Sequence, residues 1–458
     1  MVTVVLVIAL VLGASGVYLF LSSINQSSSS TSSPRGGTTM KSQLHGITFG
    51  AITEYALPSP IRSANAITVA PDGSVWFGEE ALPGVAHLYP KNGTLIEYAW
   101  PFKYRVSSPQ GNSPTFTTDT WGIALWNGKV WASDVTMNQI VGVDPSTGNV
   151  TAIHLPSNDS FPYTMTVAPD NSLWFTQLDS SKIGRVFANG TLVEYPLSVG
   201  GQQEAPAEIV FENSTLGYYV TIGGVPDRGP SAIYAFNPQK FSPYQVVGNQ
   251  TLSTPDSIAL MDGRGIWVDL HGPSMVGFYN LTDRSFTTYP TSRINNTNTV
   301  LPYFIKTNDS SYVWFNEHYG NRMAVIDLAK STLTEYSESN PPAKNSSQIG
   351  NALTFALARN GAWFTAITGN FIGYVDASYT PSFSVSTDGN NQPIQLRRGQ
   401  EANVTLNVSG TSPQPLSLQF SDSESFTAVP KNISIISKVS SIPSLNGQRD
   451  LVITIRAS

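Results

Sequence analysis

The chain has 458 residues, of which 12% are charged and 11% aromatic, with 37 glycines, 31 prolines and no cysteine. Without cysteine there are no disulfides, thiolate metal sites or cysteine nucleophiles. A formal net charge of −6 offers no basic footprint for nucleic acid, and so little charge argues against long solvent-exposed helices.

Residues Val2–Leu21 form an uncharged apolar run of about twenty, long enough to cross a bilayer as a helix. A cleaved signal peptide is the alternative, with Ala14-Ser15-Gly16 near a cleavage point. No Lys or Arg precedes the run and Val17–Leu21 stays apolar beyond that point, so the expectation is an uncleaved membrane anchor over 1–21. Residues 22–46 are rich in Ser, Thr and Gly and read as a flexible stalk.

From residue 47 to 378 the chain repeats. An aromatic at the end of a short strand marks each unit: Trp76, Trp131, Trp174, Tyr219, Trp267, Trp314 and Trp363, at gaps of 55, 43, 45, 48, 47 and 49 residues. Tyr163–Leu197 is the clearest copy, with four β runs separated by turns at Pro169-Asp170-Asn171 and Asn189-Gly190. A four-stranded sheet cannot bury its own faces, so seven units predict an all-β, seven-bladed propeller. A linear β-solenoid is the rival architecture. A Glu-Tyr pair ends several units (Glu97-Tyr98, Glu194-Tyr195, Glu335-Tyr336) and also occurs early, at Glu54-Tyr55, whereas none follows Ile372–Val375. Ile47–Leu57 is therefore expected to supply the missing outer strand of the seventh blade and close the ring.

Residues 379–458 lose these marks and show plain alternation, in Ala402–Val408, Leu416–Phe420, Ile433–Ile436 and Leu451–Ile455 among others. They suit a small immunoglobulin-like sandwich, one strand short or completed by a partner. Fourteen Asn-x-Ser/Thr sequons, including Asn92, Asn149, Asn189, Asn213, Asn280 and Asn308, point to an outward-facing glycoprotein.

In a propeller, the starts of the inner strands and the exits of the second strands share one rim. The starts are Asn65, Trp121, Tyr163, Ala207, Asp256, Tyr303 and Asn351; the exits are Glu79, Glu80, Asp134, Gln177, Asp269, His271, Glu317 and His318. Glu317, His318 and His271 form the strongest acid–base cluster, with Glu317 and His318 as ligands for Mg2+ or Ca2+; the plainer reading is solvated rim side chains. Glu79, Glu80, Asp134, Gln177, Asp256, Tyr303 and Asn351 complete a candidate ligand-binding rim. The Trp marks, His87 and His154 read as structural. No P-loop, HExxH or GxSxG occurs.

The pieces Trp174-Phe175, Ile183-Gly184-Arg185, Gly190 and Glu194-Tyr195-Pro196-Leu197, with Ile52-Thr53-Glu54-Tyr55, resemble the virginiamycin B lyase (streptogramin lyase) family. The resemblance covers about 47–378 and implies that family's propeller. It also implies a magnesium site and catalytic base on the last blade, from a Glu-Pro-His at its start and a glutamate at its exit, with a histidine one blade earlier. Here those places read Gln348-Ile349-Gly350-Asn351, Ile367 and Tyr303. Neither an amide nor an alkyl group abstracts a proton. The expectation is a cell-surface propeller that recognises a glycan, peptide or surface protein at its rim; the alternative is a magnesium-dependent C–O lyase or hydrolase of an ester, lactone or sugar.

Overall fold

A computed structural model describes residues 35–58, 63–103, 119–199, 201–223, 229–248, 252–261, 263–291, 300–308, 311–338, 352–367, 369–379, 383–387, 397–412, 416–417, 433–435, 441–442 and 445–457. The apolar run 1–21 lies outside these residues. Among the described residues no helix is long and apolar enough to cross a membrane. The chain divides into two compact units, residues 1–288 with 299–377 and residues 289–298 with 378–458.

The first unit is a seven-bladed propeller of antiparallel sheets. Blade three runs Pro162–Val167, Leu173–Gln177, Lys182–Val186 and Leu192–Pro196, in that order across the sheet. Its turns use the local chemistry read from the sequence. Asp170 Oδ1 accepts the Ser172 amide (3.0 Å), Asn189 Oδ1 accepts the Thr191 amide (3.0 Å), and Gly190 takes φ +86°.

The second strand is central to each blade, because its alternate side chains face opposite neighbours. Trp174 packs with Phe211 and Phe236 of the following blade, whereas Phe175 joins the cluster containing Trp131 and Ile140 of the preceding one. Phe175 also lies across from Gly184, where a Cβ would come within 2.1 Å of its ring; Phe364 does the same to Gly373, at 2.0 Å. The Trp-Phe and Ile-Gly marks are thus one packing unit. The Glu-Tyr mark has a similar origin: Tyr195 stacks on Trp174 with ring centroids 5.5 Å apart, and Tyr336 on Trp314 at 6.1 Å. Tyr219, in the unit without Trp, is fully buried and stacks on Tyr234 at 4.9 Å.

The ring closes through the N-terminal segment. Ile52–Ala56 pairs with Phe371–Asp376, in the register Ile52↔Val375 and Tyr55↔Ile372, and Tyr55 packs on Trp363 at 5.6 Å. Ile47–Leu57 is a hairpin and not one strand: Gly46–Phe49 folds back on Ile52–Ala56 through Gly50 (φ +60°).

The expected stalk also needs correction. Thr38–Gln43 adds a fifth strand to blade one, against Thr94–Ala99, and Arg35–Gly36 adds one to blade two, against Asn149 and Val150. Both segments cover sheet edges, and the Thr38–Gln43 side chains lie mostly in solvent, so this strand buries too little apolar surface to register in a hydropathy pattern.

The second unit has one four-stranded antiparallel sheet, ordered Phe383–Thr387, Glu401–Ser412, Leu445–Ala457, Ile433–Ile435, plus the ribbon Leu416–Ser417 with Ser441–Ile442. Val408, Leu451 and Ile453 are buried. The immunoglobulin-like sandwich is a sequence expectation that goes beyond these strands.

A chain beginning at Ser63 leaves the Phe371–Asp376 edge open. Its melting temperature should fall by roughly 10 °C, with aggregation through the bare edge. Unchanged thermal melting of that chain would show that the hairpin does not hold the ring shut.

Candidate active site at the propeller mouth

In five of the seven blades, the second-strand side chain two residues past the aromatic mark clips the start of the inner strand. Ser133 Oγ accepts the amides of Trp121 and Gly122 (both 2.9 Å); Thr176 Oγ1 accepts Thr164 N (3.1 Å) and donates to the Ala207 carbonyl of the next blade (2.8 Å). Asn316 Oδ1 accepts Phe304 N (2.7 Å) while its amide donates to the Ala352 and Leu353 carbonyls (2.8 and 2.9 Å). Thr365 Oγ1 accepts Thr354 N (3.2 Å). In blade five the clip is Asp269, whose Oδ1 accepts the amides of Asp256 (2.9 Å) and Ser257 (2.6 Å).

The Tyr163 and Tyr303 hydroxyls lie 2.6 Å apart although their blades, three and six, are not neighbours. Such a contact is possible only near the axis, so these residues mark the mouth. Trp121 packs on both tyrosines, at 5.3 and 6.1 Å, and the His318 ring lies 5.1 Å from Tyr303 and 5.0 Å from His271. Trp121 and Tyr303 are half-buried; Tyr163, His271 and His318 are buried. Below them Asp256, Asp269 and His271 present ligand atoms all within 4.8 Å of one another. The His271 Nδ1–H donates to the Pro302 carbonyl (2.9 Å), with Asp256 Oδ2 at 3.7 Å.

Burial opposes charge on every member of the cluster. Burial pushes the Asp256 carboxyl well above its usual range. Burial, then the Asp256 charge, does the same to Asp269 despite its two backbone amides. His271 is lowered to about 4 by burial, against the pull of the Pro302 carbonyl, and burial followed by His271 lowers His318. Burial raises the Tyr163 and Tyr303 phenols. On blade one, Asn65 donates to Glu80 Oε1 (3.1 Å), and burial and then Asp119 raise the Glu80 carboxyl well above its usual range.

The structure thus joins Tyr163, Asp256, Asp269, His271, Tyr303 and His318, and separately Asn65 with Glu80. It does not add Glu317, Asp134 or Gln177, which fall three residues past the mark and face the other way. Glu317 lies 2.5 Å from Arg322, itself 3.0 Å from Glu335 of the Glu-Tyr mark, so it is held by an internal cation. Asp134 accepts from Gln139 Nε2 (2.7 Å) and Met137 N (3.1 Å), and Gln177 donates to Glu194 Oε1 (3.1 Å). Glu79 shares that phase and is buried. Ala207 contributes its carbonyl only. Asn351 lies outside the described residues, and the exit Thr365-Ala366-Ile367 carries no ionisable group. Asp119 escaped the sequence reading because it precedes the inner-strand start by two residues. His87 stacks on Trp76 (3.8 Å) and contacts Ser74 Oγ (2.7 Å), as a packing residue would.

A sequence model described as the virginiamycin B lyase family matches residues 107–225. No curated protein matches the chain. Among solved structures, virginiamycin B lyase from Staphylococcus aureus is 19% identical over 71% of this chain and 98% of its own, with a TM-score of 0.57. A streptogramin B lyase is 21% identical over 71% and 97%, at 0.56. Hydrazine synthase from Kuenenia stuttgartiensis is 11% identical over 71% and 98%, at 0.54. These similarities support the propeller; they do not fix its chemistry.

Two outcomes follow from the geometry. Arg322→Met removes the cation beside buried Glu317 and should cost about 3–5 kcal/mol in urea unfolding; a loss under about 1 kcal/mol would mean that Glu317 is not held by this ion pair. For His271, the folded pKa of about 4 lies below the ordinary 6.5, so unfolded chains take up a proton that folded chains refuse. The imidazole's stabilising contribution is complete above pH 6.5 and declines as pH falls to about 4. The raised Asp256 and Asp269 carboxyls act in the opposite sense, so the comparison must be with His271→Phe. Wild type should lose up to roughly 3 kcal/mol more than that variant across the window. Parallel stability profiles would refute the assignment.

Proposed function

We propose that this chain is a surface-anchored recognition propeller that receives a glycan, peptide or neighbouring surface protein at its mouth. The observation that carries the reading is the array of Trp121, Tyr163 and Tyr303, contributed by three blades and meeting at the axis, with Trp121 and Tyr303 incompletely buried. Partly exposed aromatic faces beside a few buried polar groups suit a sugar face or a peptide side chain. The exit of the last blade has no acid or base, which favours binding over turnover.

An outward location is supported by the Val2–Leu21 run and by the sequons. Asn92, Asn149, Asn189 and Asn213 are exposed. Asn92, Asn189, Asn213 and Asn280 each use Oδ1 to accept the amide two residues on, at 2.8–3.0 Å, so the turn does not occupy the nitrogen that would carry a glycan. Asn280 and Asn308 are half-buried and make poorer acceptors.

A second reading, a cation-dependent C–O lyase or hydrolase, draws on the Asp256–Asp269–His271 group and on the family match at 107–225. One set of measurements separates the two. The full chain in detergent, applied to glycan and peptide arrays, should give a ligand whose affinity falls at least about tenfold in Trp121→Ala, the loss expected for one aromatic anchor. With magnesium and a streptogramin B lactone it should give no ring opening. Magnesium-dependent ring opening would overturn the binding reading, and so would array binding untouched by Trp121→Ala.

A further inference from the structure

Blade five carries a charge where its counterparts carry none. Ser133, Thr176, Asn316 and Thr365 perform the inner-strand clip with a hydroxyl or an amide oxygen, so one neutral acceptor is enough for that structural task. Asp269 performs it with Oδ1 alone. Its Oδ2 is buried without a hydrogen-bond partner, and so is Oδ2 of Asp256. Neither oxygen has a role in holding the blade together. A buried polar atom with no partner costs free energy, and two buried carboxylates side by side cost more unless a positive charge joins them.

We propose that Asp256, Asp269 and His271 form a binding site for a divalent first-row transition cation, with zinc preferred over magnesium. The three side chains place ligand atoms within 4.8 Å of one another. Zinc holds such atoms at about 2.1 Å, so a bound ion would draw the three groups together. An imidazole among the ligands disfavours magnesium and calcium, which take oxygen. The Nδ1–H of His271 is already committed to the Pro302 carbonyl (2.9 Å), which leaves Nε2 as the lone-pair nitrogen. That is the outer contact by which proteins orient metal-binding imidazoles. A second imidazole stands close by: His318 is buried, both its nitrogens lack partners, and its ring centroid is 5.0 Å from that of His271. Its ring stands beside that of His271, which makes it a candidate fourth donor. The site is independent of whether the mouth binds a ligand.

The test is metal analysis of the full chain purified without chelator, then calorimetric titration of the stripped protein with zinc chloride and, separately, magnesium chloride. One zinc per chain is expected, with magnesium at least about 100-fold weaker and a melting temperature raised by zinc. Asp269→Asn keeps the clip oxygen and removes the charge; it should bind zinc at least about 100-fold more weakly while melting in EDTA no lower than wild type. His271→Gln, which leaves the clip alone, should lose zinc similarly and serves if Asp269→Asn does not fold. Wild-type binding weaker than about 100 µM, zinc affinity unchanged in His271→Gln, or magnesium bound more tightly than zinc would each overturn the proposal. None of these readouts passes through Trp121, so failure here and failure of the mouth-recognition reading are distinguishable.

Discussion

The second strand of every blade is pressed between two neighbours, and the two-residue period of a strand decides which neighbour each side chain meets. Trp174 faces forward around the ring, Phe175 backward and Thr176 forward again, while Gln177 turns to Glu194 of its own sheet. The mouth inherits that phase. Residues two and four past the mark reach the following blade and the axis, which is why Asp269 and His271 meet and why His318 meets Tyr303. Residues three past the mark return to their own sheet, to Arg322 for Glu317 and to Gln139 for Asp134. A single alternation thus separates side chains available for chemistry from those consumed by the scaffold.

The same rule explains what could be read in the sequence. The aromatic marks, the small residue opposite Phe and the Glu-Tyr pair recur because each blade repeats one packing problem, and repetition is visible without coordinates. Asp256, Asp269 and His271 could be located as a strand start and two exits. Their convergence could not, because it depends on the three-dimensional path of the strand start and the exit turn. Glu317-His318 looked like a pair because they are adjacent in the chain; Glu317 ends the strand Tyr312–Glu317 and turns to Arg322, whereas His318 opens the 3-10 turn His318–Gly320. The edge strands at 35–43 left no trace because their contribution is backbone hydrogen bonding by polar residues.

Propellers of this form carry unrelated chemistry, as a lyase and a hydrazine synthase of similar fold illustrate. The scaffold asks only that the inner strands be clipped and the blades packed. Whatever lies at the axis beyond those requirements is open to variation, and here the departures gather on blades five and six. The aromatic array shields that group from water, which strengthens every electrostatic interaction beneath it.

The hairpin that closes the ring has a temporal side. The Asn370 amide donates to the Leu57 carbonyl across 313 residues, so a strand made early waits for the last blade to be paired. Until blade seven is synthesised, the nascent protein is an arc with a bare edge at one end and an unmatched hairpin at the other. Contacts this remote in sequence slow folding and prolong exposure of such edges.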